Sequence, residues 1–382
     1  MTPEKLLKIV FVIDQYAEAS NGTTMTVKRT VEALRRRGHT VEILSGDGEG
    51  FFGVHACGVR RTPILYGITK SQGMMLAKPR PSLMRSVIET ADVVHILMPF
   101  KFGRRAKDIA DALSVPATAA FHVQPENISS TLYLRRFKSI NAMIYAWFRH
   151  FYNTFSHVHC PSAFIEDRLK THHYTSSMHV ISNGVSKRFI QEKAPERPLE
   201  KESYTLLMVG RFSREKRQDV LINAVALSAY KERIRLVLAG KGPWKDSLVS
   251  LAQKKNVKVT FRFFSQEALK EAMLKSDLYV HASDIEIEAI ACIEAFATGL
   301  VPVIANSKES ATKQFALSEE NLFESDSPEA LAQRIDYWLS HPKKRMTRSS
   351  EYVQYAKRFS LEHTALKLEA MFESAIDAFK SK

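Results

Sequence analysis

One stretch, residues 279–306, constrains the fold of this chain more than any other. It reads YVHASDIEIEAIACIEAFATGLVPVIAN, and it is preceded by Leu278. An apolar strand at 278–280 leads into a polar turn and a helical segment, Gly299 ends the helix, and 301–305 has the pattern of the next strand. This order of strand, turn, helix and strand predicts one unit of a parallel α/β sheet.

Two glutamates of this stretch, Glu286 and Glu294, are expected to lie on that helix. Their spacing is a little over two helical turns, so both side chains are expected to project from one side. The N-terminus of a helix suits a diphosphate, and a carboxylate accepts two hydrogen bonds from vicinal hydroxyls. Glu294 is therefore a candidate for holding a ribose, and Glu286 for holding a sugar ring. The alternative is that both are solvated surface residues, because glutamate is common on exposed helices.

The alternation of strand and helix recurs on both sides of residues 191–203, a segment with two prolines and mixed charge. That composition is typical of an interdomain linker. Because 382 residues exceed one ordinary hydrophobic core, we predict an N-terminal domain at 1–190, a C-terminal domain at 204–360 and a C-terminal helix at 361–382. Both domains are expected to be doubly wound α/β domains of the Rossmann type.

Charge and cysteine content narrow the class of protein. The formal net charge is +14, most of it within residues 1–190, which indicates an anionic partner such as nucleic acid, anionic lipid or a phosphorylated substrate. The three cysteines are widely spaced, which indicates a reducing cytoplasm and neither a disulfide framework nor a metal cluster. No apolar run reaches 18 residues, and Asp14 follows the first apolar run where a signal peptide would have a small-residue cleavage site.

Two positions in the first half follow predicted strands. Asn21 and Gly22 come after the strand at 7–14, where the backbone of a glycine turn approaches a diphosphate or forms an ordinary turn. His122 directly follows the strand at 117–121, at the edge where parallel sheets bind ligands. The alternative for His122 is a purely structural histidine.

The segment 128–155 interleaves large apolar residues with basic ones at helical spacing. Its members include Arg135, Arg136, Phe137, Lys138 and Trp147. Such a pattern predicts a segment that lies in a membrane interface and contacts a lipid acceptor. A core helix with a cationic solvent face is an equal alternative, and base stacking is a third, although no nucleic-acid motif accompanies it.

A third candidate set lies in the second half. Arg211 and Lys216 are five residues apart across a glycine turn at the end of the strand at 204–209. Two cations so placed suit a diphosphate, although such residues are more often surface charges. The chain has no P-loop, HExxH, CxxC, GxSxG or DxD motif, so we expect no metal and no cofactor beyond a donor substrate.

Taken in order, these motifs resemble those of the family-4 retaining glycosyltransferases of the GT-B fold. The resemblance runs nearly end to end. The matching pieces are the turn at Gly22, the His122 position, CPS at 160–162, NGV at 183–185, VGRFSREK at 209–216, GKGP at 240–243 and the two glutamates of the Glu-x7-Glu stretch with the following AxxTG at 295–299. Within that family the chain resembles bacterial lipid α-glycosyltransferases of the diacylglycerol and ceramide type.

The resemblance implies a role for each matching residue. Arg211 and Lys216 would bind the donor diphosphate, Glu294 the ribose, and Glu286 the donor sugar. His122 would support the oxocarbenium-like transition state by hydrogen bonding, and Gly22 would let the backbone approach the phosphate. The implied chemistry is metal-independent transfer with retention from a UDP-sugar.

One departure from the family pattern affects the donor sugar. A Pro-Phe-Gly-like run usually follows the first glutamate, and here Ile287, Glu288, Ala289 and Ile290 stand there. Ala289 in place of that glycine narrows the space for the donor sugar, which Ala289 and Ile290 would contact.

The resemblance therefore predicts transfer of glucose or galactose to a diacylglycerol-like or ceramide-like lipid, by an enzyme held peripherally on the inner face of the cell membrane. The alternative enzyme builds a capsule or other surface polysaccharide on a lipid-linked sugar. A nucleotide-sugar epimerase on the same fold matches less well, and so does a binding protein on an inactive scaffold, which would have no use for the full residue set. The sequence leaves the oligomeric state open.

Overall fold

The computed structural model describes residues 5–17, 22–60, 75–131 and 138–381, with the side chains of 130, 131 and 138 left out. It divides into two compact units. The first comprises Met1–Gly184 and Leu361–Lys382, and the second comprises Val185–Ser360. The predicted α/β class is confirmed, because both units are built on sheets of parallel strands.

The first unit alternates strands and helices around one sheet. Its strands are β1 (Lys8–Val12), β2 (Thr40–Ser45), β3 (Val54–Ala56), β4 (Val93–Ile96), β5 (Ala117–Ala120), β6 (His157–Cys160) and β7 (Ser177–Val180). Its helices are α1 (Gly22–Arg36), α2 (Pro81–Ile88), α3 (Lys101–Ala112), α4 (Pro125–Thr131), α5 (Lys138–Tyr152), α6 (Ala163–Thr171) and, at the end of the chain, α13 (Leu361–Lys380). The strand order is β3-β2-β1-β4-β5-β6-β7.

The second unit repeats this plan. Its strands are β8 (Tyr204–Val209), β9 (Ile234–Ala239), β10 (Val259–Arg262), β11 (Leu278–His281), β12 (Ile285–Glu286), β13 (Val301–Ala305), β14 (Glu309–Ser310) and β15 (Leu322–Phe323). Its helices are α7 (Gln218–Leu227), α8 (Lys245–Lys254), α9 (Gln266–Lys275), α10 (Ile290–Ala297), α11 (Pro328–Ser340) and α12 (Pro342–Ala356). The main sheet has the order β10-β9-β8-β11-β13-β15, and β12 pairs with β14 alone.

The central strands are mostly apolar because helices cover both faces of a parallel sheet. β8 (YTLLMV) and β13 (VPVIA) show this most clearly, and Leu206, Val303 and Ile304 have no exposed surface. Serine side chains begin several of the helices: Ser162 accepts a hydrogen bond from the amide of Ile165, and Ser265 from that of Ala268. These caps satisfy amides that a helix start otherwise leaves unpaired.

The C-terminal helix α13 is tied into the first unit by buried charge. Glu369 accepts hydrogen bonds from the guanidinium of Arg37 and from Nε2 of His39, at 2.5 Å and 2.8 Å to the same oxygen. Phe372 of α13 packs edge-on against Phe11 of β1. The helix therefore packs against the hydrophobic core of the first unit at β1.

Residues 191–203, which the sequence predicts as an interdomain linker, are grouped with the second unit, and the predicted C-terminal helix at 361–382 is grouped with Met1–Gly184 in the first. Arg197 of this segment is largely buried and donates to the carbonyl oxygens of Ser276 and Gly299, at 3.1 Å and 2.9 Å. The segment is packed against the second unit because its arginine satisfies carbonyl groups at a helix end and a strand start.

Candidate functional site in the second unit

An ion pair lies where two neighbouring strands of the second sheet end. β8 is followed by Gly210 and a short 3-10 turn that ends at Lys216, and β11 is followed by the short strand that contains Glu286. β8 and β11 pair in the sheet, so both connections leave the same edge. Nζ of Lys216 lies 2.5 Å from Oε1 of Glu286, and the two side chains are 21% and 11% exposed.

A second donor reaches the same oxygen of Glu286. Nε2 of His281, the last residue of β11, lies 3.0 Å from Oε1, and the hydroxyl of Tyr279 lies 3.2 Å from Nδ1 of His281. Because an ionised carboxylate only accepts hydrogen bonds, Nε2 carries the proton. The hydrogen bonds that run from Tyr279 through His281 and Glu286 to Lys216 thus fix one carboxylate at the sheet edge.

The charges in this chain stabilise one another. Burial alone would raise the pKa of Glu286, but the Lys216 ammonium and the His281 hydrogen bond outweigh it, so that pKa lies far below its ordinary value. Burial alone would lower the pKa of Lys216, and the Glu286 carboxylate reverses this, so that pKa lies above its ordinary value. Both groups are therefore ionised at neutral pH.

Asp284 joins the two connections that carry the ion pair. This buried residue donates its amide to the carbonyl oxygen of Glu215 at 2.9 Å, and its carboxylate lies 3.2 Å from the guanidinium of Arg217. Arg217 has a left-handed backbone (φ 54°) at the junction of the 3-10 turn and α7. Lys216 is thus flanked by two residues that are bonded to the segment of Glu286.

The backbone on both sides of Arg211 packs against the 240–243 turn, which requires glycine. A Cβ on Gly240 would lie 1.9 Å from the carbonyl oxygen of Gly210, and a Cβ on Gly242 would lie 2.3 Å from that of Phe212. The carbonyl oxygen of Arg211 accepts a hydrogen bond from the Gln218 side chain at 2.8 Å. The side chain of Arg211 is half-buried. Its positive charge by itself would lower the pKa of Lys216, but the Glu286 carboxylate outweighs this effect.

The expectation that Glu286 lies on a helix with Glu294 is wrong. Glu286 belongs to β12, which pairs with β14, and α10 begins only at Ile290. The helix cannot extend back to Glu286 because Ala289 has a left-handed backbone (φ 72°, ψ 65°). Glu294 is on α10 and is 4% exposed, so neither glutamate is a solvated surface residue.

His122 and Gly22 belong to the first unit, apart from the four charged candidates of the second. His122 follows β5, is buried, and contacts His159 edge to face with ring centroids 5.4 Å apart. Burial, with the nearby His159, lowers the pKa of His122 to about 3. His122 is thus neutral at physiological pH. Gly22 begins α1, and a Cβ there would meet open space.

The predicted membrane segment is only partly described. Arg135, Arg136 and Phe137 lie outside the described residues, and so does the side chain of Lys138, the first residue of α5. α5 presents Met143 and Trp147 to solvent, 70% and 47% exposed. Its opposite face is core, with Tyr145 and Phe148 buried. The inner face of α5 is therefore core, as one alternative expected, and its outer face exposes Met143 and Trp147. A membrane contact of this helix stays a prediction.

Two family models cover most of the chain. The model described as Glycosyltransferase Family 4 matches residues 20–189, and the model described as Glycosyl transferases group 1 matches residues 189–357. The chain belongs to these GT-B glycosyltransferases. The predicted family is thereby confirmed, and with it the GT-B fold.

Two relatives of this glycosyltransferase are named for different sugars. An alpha-monoglucosyldiacylglycerol synthase of Streptococcus pneumoniae is 23% identical, with 78% of this chain and 71% of that protein covered. A GDP-mannose-dependent alpha-mannosyltransferase of Corynebacterium glutamicum is 24% identical, with 78% and 72% covered.

Two solved structures are similar to this chain over different lengths. The crystal structure of Anabaena Alr3699/HepE in complex with UDP and glucose shares the fold, with a TM-score of 0.74, 16% identity and coverage of 96% and 100%. The catalytic domain of cholesterol-alpha-glucosyltransferase from Helicobacter pylori is 49% identical, covering 41% of this chain and 99% of that one, with a TM-score of 0.38.

Among the described residues, no group of three or more histidine, cysteine, aspartate or glutamate side chains is arranged to hold a metal ion. In the same ranges, no helix of the glycosyltransferase is both long enough and apolar enough to cross a membrane.

Sequence reasoning missed the residues that support the ion pair. His281 and Tyr279 sit within an apolar strand and give no motif of their own, and Asp284 was read only as part of a polar turn. The available signal was a histidine at the carboxyl end of β11, the same signal that singled out His122 at the end of β5.

Proposed function

We propose that this glycosyltransferase moves a hexose, glucose or galactose, from a UDP-sugar to a membrane lipid with retention of configuration and without a metal. The acceptor would be a diacylglycerol-like or ceramide-like alcohol, and the product an α-glycolipid. The enzyme would work as a peripheral protein on the inner face of the cell membrane.

The observation that carries this proposal is the shared oxygen of Glu286. Oε1 accepts hydrogen bonds from Lys216 and His281, and Oε2 is the oxygen that would accept a hydrogen bond from a donor-sugar hydroxyl. A lysine ammonium has three donor hydrogens, so Lys216 can bind a phosphate oxygen while it remains paired with Glu286. One rigid pair would thus hold the sugar and the diphosphate on either side of the bond that breaks.

The remaining donor contacts follow from the same edge of the sheet. Arg211 would supply a second cation to the diphosphate, and the first turn of α10, with Ala289 and Ile290, would lie beside the sugar. Glu294, buried on α10, would accept hydrogen bonds from the ribose hydroxyls. If so, Glu294→Ala should bind UDP more weakly than the parent and should no longer favour UDP over 2′-deoxy-UDP.

Stabilisation of the negative charge on the leaving group would account for most of the rate enhancement. As the glycosidic bond breaks, negative charge grows on the leaving diphosphate, where Arg211 and Lys216 would meet it with fixed positive charge. Those cations supply the neutralisation that a divalent metal provides in other transferases. A leaving phosphate that accepts the acceptor proton would place the new bond on the same face of the sugar. His122, neutral because its pKa is low, would contribute a hydrogen bond and no charge.

The lipid acceptor is supported by the first unit and by one relative. The exposed Met143 and Trp147 of α5 follow a basic stretch of sequence, as expected of a helix that contacts a bilayer surface. The Streptococcus relative is named for the synthesis of a glucosylated diacylglycerol. Replacing Arg135, Arg136 and Lys138 by serine should therefore reduce binding to anionic vesicles and spare donor hydrolysis.

The experiment that tests the proposal is a matrix of donors and acceptors in EDTA. The donors are UDP-glucose, UDP-galactose and GDP-mannose, and the acceptors are diacylglycerol, ceramide, a sterol and a polyprenyl-linked sugar, with products identified by mass spectrometry of the lipid phase. A hexosylated diacylglycerol or ceramide formed from a UDP-sugar supports the proposal. Product from GDP-mannose alone, or activity only after a divalent metal is restored, contradicts it.

A second candidate is a transferase that extends a lipid-linked sugar for a surface polysaccharide. One relative, from Campylobacter jejuni, is named as an N-acetylgalactosaminyltransferase that acts on a diphospho-undecaprenol-linked sugar, and it is 28% identical over 47% of this chain. Exclusive product in the polyprenyl-linked lane of the matrix would select this candidate.

A further inference from the structure

An exposed aromatic ring lies on the same sheet edge as the ion pair. The main sheet of the second unit contains the order β10-β9-β8-β11 with parallel pairing, so the connections after these four strands leave one edge. The connection after β8 leads to Lys216, and the one after β11 leads to Glu286. Phe263 directly follows β10 and is 53% exposed. A large apolar ring left in water at the edge where parallel sheets bind ligands is a candidate for contact with a flat ligand surface.

Backbone hydrogen bonds join the connections on this edge. The amide of Gly240, just after β9, donates to the carbonyl oxygen of Arg262, the last residue of β10, at 2.8 Å. The amide of Phe212, in the connection after β8, donates to the carbonyl oxygen of Lys241 at 2.9 Å. The turn after β9 is thus bonded to β10 on one side and to the connection after β8 on the other. The exposed ring and the ion pair therefore belong to one continuous backbone network.

Lys241 holds the ring of Phe263 in place. Its ammonium stands 4.2 Å from the ring centre, well within the range in which a cation is attracted to the face of an aromatic ring. Lys241 lies between Gly240 and Gly242, where close backbone packing leaves no room for a Cβ at either glycine. The cation is thus carried on a turn of fixed course, and the ring that it contacts still exposes much of its surface.

The neighbouring Phe264 has a different role. Phe264 packs against the hydrophobic core of the second unit, and the guanidinium of Arg262 stands 5.0 Å from its ring centre. This inward ring anchors the end of β10. Phe263 points away from that core and is not needed to complete it, so a structural role does not account for its exposed ring.

The position of Phe263 along the edge suits one part of a nucleotide-sugar. Neighbouring strands lie about 4.8 Å apart, so β10 is roughly 10 Å from β8. In a nucleoside diphosphate the ribose separates the base from the phosphates by a length of this order. The diphosphate is assigned to Arg211 and Lys216 after β8, and the sugar to Glu286 after β11. Phe263 lies on the other side of β8, where the base remains to be bound.

We propose that the ring of Phe263, positioned by Lys241, is the platform on which the base of the donor nucleotide stacks. The proposal rests on the proposed function in taking a nucleotide-sugar as the donor, and it adds a residue for the base, which none of the assigned residues contacts. Stacking on an aromatic ring tolerates any base, because every base has a flat π-face. The platform therefore supplies affinity for the base and not selection between uracil and guanine.

The alternative role for Lys241 is that of a phosphate ligand, because it stands on a glycine turn at a strand end, as Arg211 does. The contact of its ammonium with the ring of Phe263 favours a positioning role. The two roles differ in their effect on inorganic pyrophosphate, which has no base. A phosphate ligand is needed for pyrophosphate binding, and a residue that positions the platform is not.

The first test is calorimetry of the full chain with UDP and with inorganic pyrophosphate. Phe263→Leu keeps an apolar side chain and removes the flat ring, so UDP affinity should fall about tenfold while pyrophosphate affinity stays at the parent value. Lys241→Met removes the cation and keeps the apolar stem, and it should lower UDP affinity by a smaller factor. Unchanged UDP affinity in Phe263→Leu would overturn the platform, and weaker pyrophosphate binding in Lys241→Met would overturn the positioning role.

The matched control is Phe52→Leu. Phe52 of the first unit is 85% exposed, and the guanidinium of Arg35 stands 5.0 Å from its ring centre. It therefore repeats an exposed ring beside a cation without the sheet edge of the second unit. Phe52→Leu should bind UDP like the parent. An equal loss of UDP affinity in Phe52→Leu and Phe263→Leu would contradict the proposal.

A second test reports the stacking directly. Transferred nuclear Overhauser effects between aromatic protons of the protein and the H5 and H6 protons of UDP should be present in the parent and in Phe52→Leu. They should be lost in Phe263→Leu. Effects of full strength in Phe263→Leu would assign the base to another ring and overturn the proposal.

Failure of this proposal and failure of the proposed function are distinguishable. If Phe263→Leu loses UDP affinity but the parent makes no glycolipid, the platform stands and the proposed function falls. If the parent makes glycolipid and Phe263→Leu binds UDP normally, the function stands and the platform falls. If the parent binds GDP and not UDP, the proposed donor falls, and the same comparison made with GDP decides the platform.

Discussion

Lys216 and Glu286 form an ion pair of 2.5 Å that joins two connections at the end of the second unit's sheet. Each residue alone would be an expensive charge to bury, and each keeps the other ionised. The pair follows directly from the pairing of β8 with β11, because parallel neighbours end at the same edge. This relationship supports the assignment of donor binding to these residues.

Removing the lysine should strongly reduce turnover. Lys216→Ala leaves Glu286 without its ammonium and the proposed diphosphate site with one cation fewer, so we expect kcat/KM to fall about a hundredfold or more. Stability of the second unit should fall by about 3 kcal/mol, as for other broken buried pairs.

The matched control for that prediction is Lys201→Ala. Lys201 pairs with the buried Asp277 at 2.7 Å in the same unit. It should lose stability to a similar extent while kcat/KM stays near the parent value. Comparable kinetic losses in the two variants would mean that the Lys216 effect is structural.

His281 is predicted to act by positioning Glu286. His281→Leu removes one of the two donors on Oε1, and we expect kcat/KM to fall about tenfold, the worth of a hydrogen bond to a charged group. His281→Gln, which can place an amide donor near the position of Nε2, should recover part of the loss. Affinity for UDP, which lacks the sugar, should be unchanged in both, measured by calorimetry. Weaker UDP binding in both variants would assign His281 a purely structural role.

Replacing Ala289 by glycine should stabilise the protein. Its left-handed backbone costs an L-residue about 1 to 2 kcal/mol, and glycine avoids that cost but loses more entropy on folding. A net gain of about 1 kcal/mol is expected in Ala289→Gly by thermal unfolding. Ala295→Gly, inside the same helix, should instead destabilise by about 1 kcal/mol. A loss at both positions would contradict the strain argument.

The first unit should lose stability as the pH falls below about 6.5. Burial lowers the pKa of His122 to about 3 and of His159 to about 4, and the pKa of His95 lies well below its ordinary 6.5. Below 6.5 the unfolded chain binds protons that the folded chain refuses, so each histidine costs about 1.4 kcal/mol per pH unit. Asp14 offsets one of the three, because burial raises its pKa from 3.8 to about 7.

Hydrogen exchange of the β4 and β5 amides between pH 6.5 and 4.5 checks this pH dependence, with the intrinsic exchange rate corrected at each pH. His95→Asn, which keeps a partner for the Thr118 hydroxyl, should flatten the dependence by about one proton. An unchanged slope in that variant would show that these histidines do not control it.

The sequence predicted the sheet strands well and the details of the site less well. β8 was predicted at its observed bounds because a buried parallel strand is a mostly apolar run. The sequence predicts a helix at Glu286 because a strand of two residues is too short to show an alternating pattern. Its pairing with β14 joins segments that are not adjacent in the sequence, so no local pattern reveals it. The left-handed turn at Ala289 was also invisible, since alanine ordinarily favours helix.

The support of Glu286 could not be predicted for a related reason. Tyr279 and His281 occupy alternate positions of β11, and whether their polar atoms meet each other depends on ring orientations that spacing does not fix. Arg211 and Lys216 were found because a glycine turn at a strand end is visible in one dimension. Motif spacing thus singled out the residues proposed to bind phosphate, and packing was needed to find the residues that support Glu286.

The most direct test of the account is the anomeric configuration of the product. The purified full chain is incubated in EDTA with UDP-glucose or UDP-galactose and diacylglycerol or ceramide in anionic vesicles, and the glycolipid is examined by NMR. The account predicts an α-linked hexosyl lipid, formed by the parent and lost in Lys216→Ala. A β-linked product, or donor consumed with no sugar in the lipid phase, would contradict it.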